Sequence, residues 1–174
     1  MRFVIALAAL LLSPTLAFAH TGVGDVVGFA HGFEHPLGGL DHVLAMIAVG
    51  VLAAVMGGRA LWLVPLSFLT VMVVGFGIGL TQMNLPFVEL GIALSSVVIG
   101  IAATLRRPLP VAAAMALVGV FASFHGYAHG AEMPATSGGL GYAGGFLLAS
   151  ALLHLAGMVA TTGVVKLTDR KSVV

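Results

Sequence analysis

Between Ala60 and Leu80 the chain carries no charged residue, and four further stretches are nearly as apolar. A run of about 20 such residues is long enough to cross some 30 Å of hydrocarbon as a helix. Inside hydrocarbon no water pairs with the backbone, so every N–H and C=O has to be satisfied within the chain, which leaves helices or a closed barrel. The runs are continuous rather than alternating over about 10 residues, and this selects helices. The expected fold is an all-α, polytopic transmembrane helical bundle. Composition agrees: 60% of the 174 residues are hydrophobic and 7% charged, and the mean hydropathy is +1.15, outside the range of ordinary soluble domains. No basic patch exists to bind nucleic acid. The chain has no cysteine, which excludes disulfides and thiolate metal sites.

Residues 1–19 read as a secretory signal peptide, with Arg2 as the charged start, Phe3 to Leu12 as the apolar stretch and Ala17-Phe18-Ala19 before the cleavage site. Cleavage would leave His20 at the mature N-terminus, its amine beside its imidazole. The Gly-rich segment from His20 to Glu34 reads as extracytoplasmic, and residues 20–174 as one transmembrane domain. Five helices are expected at about 36–56, 60–80, 86–105, 110–130 and 141–165, with a short polar tail from Lys166. Pro36 fits a first helical turn, where its missing N–H does no harm. Gly75, Gly77 and Gly79, Gly126 and Gly130, and Gly141, Gly144 and Gly145 offer small faces for close helix approach.

Orientation follows from the basic residues. With the mature N-terminus outside, Arg59, Arg106, Arg107, Lys166, Arg170 and Lys171 all fall on the inner side. The outer segments hold no Lys or Arg, as the positive-inside rule asks. A bacterial inner membrane, with the N-terminus periplasmic and the C-terminus cytoplasmic, is the expected setting.

Against this apolar background two clusters stand out. His31-Gly-Phe-Glu34-His35 runs through Pro36 to Asp41-His42 at the mouth of the first helix, and His125, His129 and Glu132 close the fourth. A charged side chain at the bilayer centre costs about 2.5–3.5 kcal/mol on the lenient scales, so such residues mark function. His35 and His42 are seven apart, near one helical face, although His35 also has room to swing in from the loop; His125, His129 and Glu132 form an i, i+4, i+7 stripe. The first helix enters from outside and the fourth leaves toward it. At 1.5 Å per residue Asp41 and His125 both lie about 7 Å below that surface, and Glu89 in the third helix reaches a similar depth. Imidazole with carboxylate and no thiolate suits Ni²⁺, Co²⁺ or Zn²⁺, and carboxylates beside histidines also fix ring direction. The candidate ligands are His35, Asp41, His42, Glu89, His125, His129 and Glu132, with His31, Glu34 and His20 at the entrance. His154 lies past the midplane of the last helix. A hydrogen bond to a neighbouring helix is the favoured reading of it, and a deeper relay on an ion path the alternative.

These motifs resemble those of the HupE/UreJ family. Its pattern of a His, five residues and Asp-His is met by His35, Asp41 and His42. Its pattern Phe-His-Gly-x-Ala-His-Gly-x-Glu is met in full from Phe124 to Glu132. The resemblance implies nickel uptake, with cobalt carried by some members, a link to nickel hydrogenases or ureases, and an acidic position that Glu89 matches.

The function expected is therefore an inward permease for a divalent transition metal, most of all Ni²⁺, with no prosthetic group. The rival is a non-transporting membrane metal binder, a sensor or metal donor to hydrogenase or urease assembly. An enzyme or a bis-histidine haem protein fits less well, since no nucleophile–base pair stands out and haem would not need acids beside its histidines.

Overall fold

The computed structural model describes residues 28–105, 109–135 and 137–171, with side chains through Val164. The expected signal peptide and His20 lie outside these residues, as do Arg106 and Arg107. Among the described residues there are six α-helices and no strand. They are α1 (Gly28–Glu34), α2 (Leu40–Met56), α3 (Ala60–Leu80), α4 (Val88–Ala103), α5 (Val111–Ala131) and α6 (Gly139–Lys171), with a 3₁₀ turn at His35–Leu37 between the first two.

The first expected helix is therefore two pieces. The segment read as an extracytoplasmic stretch turns helical at Gly28, and the axis breaks by 82° between Gly28–Leu37 and Leu40–Met56. Pro36 does occupy a first turn, but that of the 3₁₀ segment. Gly38 and Gly39 explain the break: each costs about 1 kcal/mol relative to Ala inside a helix, and Gly39 is extended (φ −106°, ψ 120°) as the residue that caps α2.

Three helices are long and apolar enough to span a membrane: α3, α5 and α6, the last over Gly139–Val164. The broken α1–α2 pair makes a fourth span if counted as one. The third expected span falls short. Phe87 adopts a left-handed backbone (φ 62°, ψ 26°) directly before α4, which leaves a helix of 16 residues, about 24 Å at 1.5 Å per residue. The last helix overruns its expected end, because no Gly or Pro follows Gly163 and the Lys, Leu and Arg of the expected tail are good helix formers.

Glycine sets the packing. A Cβ on Gly126 or Gly130 of α5 would run into the Met72 or Phe76 carbonyl of α3, and one on Gly79 of α3 would strike the Tyr127 carbonyl in return. Backbones in van der Waals contact along this line, from Ser67 beside Met115 to Phe76 beside Gly130, hold α3 and α5 as one parallel pair. The same device joins α2 to α6, with Gly50 against the His154 carbonyl and Gly157 against that of Ile47, and joins α1 to α6, with Gly32 against Tyr142 and Gly145 against Phe29. Of the expected small residues Gly77 differs, since nothing lies within 4 Å of where its side chain would be.

The helices thereby fall into two groups. One is α3 with α5; the other is α6 with α1 and α2, and α4 against α2, while α2 and α5 touch only slightly. Between the groups lies a core of Phe68, Met72, Phe76, Tyr142 and Phe146, all fully or nearly fully buried. The outer faces stay apolar, as Trp62, Val74, Val120 and Val159 illustrate.

A candidate metal centre where the two groups meet

The histidines gather at one end of that seam. His42, in the first turn of α2, places its ring 4.7 Å from His125 and 5.5 Å from His129, both on α5. His35, arriving from the 3₁₀ turn, sets its ring 5.0 Å from His129. The helix break thus does what a straight helix would not: it lets His35 and His42 approach His129 from two directions. His31 of α1 stands behind His35, edge-on at 6.2 Å, and against Tyr142 at 5.7 Å. His125 and His129 are fully buried, and His129 stacks flat on Phe146 with 4.5 Å between ring centroids.

Each of three rings has one nitrogen tied down. Asp41 Oδ1 accepts from the His42 backbone N–H at 2.9 Å and lies 3.2 Å from its Nδ1. Glu132 Oε2 lies 3.2 Å from His35 Nε2. A carboxylate can only accept, so both rings present N–H to their acids, and in the neutral ring the other nitrogen is the lone pair. For His125 the partner is Ser95 of α4, whose Oγ is 3.0 Å from Nε2 and 2.5 Å from the Ile92 carbonyl. The carbonyl takes the only hydroxyl proton, so the Ser95 oxygen accepts from His125 Nε2–H, and Nδ1 carries the lone pair. His42 Nε2, His125 Nδ1 and His129 Nδ1 are buried and have no hydrogen-bond partner. Buried polar atoms are seldom left so. An unpaired lone pair on a neutral imidazole is what a borderline divalent cation requires.

The rings are neighbours without converging. Among the described residues no group of three His, Asp or Glu side chains stands in the geometry that would hold a metal ion. Two expected participants stand apart. Glu89, in the first turn of α4, is exposed and has no hydrogen bond or ion pair to the histidines, and Glu34 is likewise exposed. Phe87 aims the start of α4, and Glu89 lies six residues before Ser95 on the same helix, about 9 Å nearer its start. His154 is fully buried on α6, but neither ring nitrogen makes the expected hydrogen bond to a neighbouring helix.

Ser95 was not legible as a site residue, because a serine in an apolar helix reads as a small packing residue. Tyr127 was also missed. From between the two histidines it donates its hydroxyl to the Met83 carbonyl and accepts from the Leu85 N–H at 3.2 Å, fastening the α3–α4 turn to the end of α5. Its i+2 offset from both His125 and His129, which turns it to another face of α5, is the one signal that marked it.

Fold and site together define an all-helical membrane protein with a buried imidazole cluster braced by carboxylates and a serine. Comparison with known proteins gives the family. A family model described as HupE / UreJ protein matches residues 8–173. Protein HupE of Rhizobium leguminosarum bv. viciae is 43% identical over 152 residues, which is 87% of this chain and 78% of that protein. The chain belongs to the HupE/UreJ family. No solved structure matches it.

Proposed function

We propose that the protein is an inner-membrane permease that carries a divalent transition metal, Ni²⁺ before Co²⁺, from the outer face to the cytoplasm. The observation that carries this reading is the set of unpaired imidazole nitrogens on His42, His125 and His129, buried together among apolar helices. An ion at the mouth would meet His35 and Glu132 first, with His31, Glu34 and Glu89 raising its local concentration. It would then shed water as the lone pairs of His42, His125 and His129 turn toward it, while Asp41 offsets its charge. Arg59, at the far end of α2 from His42, sits on the cytoplasmic side, and the mature N-terminus is periplasmic. The cargo serves a nickel enzyme, a hydrogenase or a urease.

No separate energy source is needed. A divalent cation moving inward gains about 4.6 kcal/mol per 100 mV of inside-negative potential, which sustains roughly a thousandfold accumulation.

The test is uptake of radioactive Ni²⁺ and Co²⁺ into proteoliposomes under an imposed inside-negative potential, wild type against Asp41→Asn. Potential-dependent accumulation that the variant loses supports the permease. Saturable binding without accumulation overturns it in favour of a membrane metal binder that hands its ion to an assembly partner.

A further inference from the structure

A second set of unpaired polar atoms lies deeper, on α6. Ser150 and His154 are one turn apart on a single face, 1% and 0% exposed respectively. The Ser150 hydroxyl and both ring nitrogens of His154 have no hydrogen-bond partner. The serine is exceptional in this fold. Helical serines normally return their proton to a nearby carbonyl. Ser95, Ser96 and Ser123 donate to the carbonyl three residues before them, and Ser67 donates to Met115 on α5 at 3.1 Å. Ser150 alone among the described helical serines leaves its hydroxyl free.

Phe68 of α3 connects this pair to the cluster above. It is fully buried, its ring lying 5.7 Å from that of His125 and edge-on at 5.3 Å to that of His154. The His154 backbone is held at the same point, its carbonyl pressed against Gly50 of α2. The ring is therefore fixed where α2, α3 and α6 meet, with one aromatic side chain between it and the imidazole cluster.

We infer that His154 and Ser150 form an inner station for the transported cation, separated from the outer histidines by Phe68. This rests on the import reading for its direction, though not for its existence as a site. An imidazole lone pair with a hydroxyl oxygen is a sparse donor set, weaker than the cluster above. A transit site has to be weak, because conduction requires an ion to leave as readily as it enters. The ion would pass from His125 to His154 when Phe68 turns aside.

The experiment is equilibrium dialysis of Ni²⁺ against the full chain in lipid nanodiscs, run beside proteoliposome uptake, for wild type, His154→Ala, Ser150→Ala and His42→Ala. Wild type is expected to bind one equivalent more, at the weaker end of the isotherm, than His154→Ala. His154→Ala keeps the tighter equivalent within about threefold of the wild-type affinity and takes up Ni²⁺ at least tenfold more slowly, whereas His42→Ala loses the tighter equivalent. Ser150→Ala removes only an oxygen and weakens the second equivalent about tenfold. Equal stoichiometry and equal uptake in wild type and His154→Ala overturn the inner station. So does loss of both equivalents in His154→Ala and Ser150→Ala alike, which makes the pair part of the packing. Wild type that fails to accumulate Ni²⁺ yet loses one equivalent in His154→Ala refutes import and leaves the station standing.

Discussion

Ser95 and His125 are joined across α4 and α5 by a hydrogen bond whose direction is fixed. The serine proton is committed to Ile92, so the ring must donate. Ser95→Ala removes that acceptor, leaving a buried ring N–H unpaired at a cost of about 1–3 kcal/mol and freeing His125 to change tautomer. Metal affinity should fall about 10–100-fold, as when the outer partner of a ligating histidine is lost. Calorimetric titration with Ni²⁺ checks this, and ¹⁵N NMR of the ring should show Nε2–H in wild type alone. Unchanged affinity would mean that His125 is not a ligand.

His35 and Glu132 should act as one unit, since their side chains meet at 3.2 Å although they come from opposite groups of helices. His35→Ala and Glu132→Gln are each expected to reduce Ni²⁺ uptake, and the double variant to be little worse than either single one. A double-mutant cycle on uptake rates checks it. Strictly multiplicative losses would separate the two roles.

Glu89 should act through its charge and not through a bond. Glu89→Gln is expected to slow uptake several-fold at low salt, while equilibrium binding at the cluster stays within about twofold. The difference should shrink as ionic strength rises toward 0.15 M, where the screening length is about 8 Å. Uptake measured at two salt concentrations decides it, and a loss of affinity would place Glu89 among the ligands.

Gly126→Ala should be far more damaging than Gly77→Ala. A Cβ at Gly126 runs into the Met72 backbone, which has no rotamer by which to retreat, whereas one at Gly77 meets nothing within 4 Å. The first substitution is expected to lower the thermal midpoint in detergent by many degrees. The second should hold it level or raise it slightly, as the helix gains up to about 1 kcal/mol from the better helix former. Equal effects would mean that the α3–α5 contact is looser than described.

The sequence carried the helices well where a long apolar run was bounded by Gly, Pro or a charge, as at Ala60–Leu80 and Val111–Ala131. The two histidine motifs were also legible, because ionisable groups beside such runs demand a reason. What escaped was tertiary. Pro36 reads as the start of a single helix, whereas Gly38 and Gly39 break the axis by 82° and the preceding residues form a helix packed on α6 through Gly32 and Gly145. The pairing of Ser95 with His125 joins residues 30 apart in the chain, with no periodicity to announce it. Counting at 1.5 Å per residue sets Glu89 along its helix but says nothing about which way a side chain points. Nor does it say which residue of α4 stands level with His125, and that residue is Ser95.

The division of the bundle bears on what an ion would do to it. Because His35 and His42 ride on one group of helices and His125 and His129 on the other, any cation bridging them works as a clasp. It tightens the gap at one end of the seam without bending a helix. The backbone contacts of Gly79, Gly126 and Gly130 and those of Gly50 and Gly157 each sit within one group. The clasp would therefore join two stiff units that otherwise meet through side chains, Ser95 with His125 and His35 with Glu132 among them.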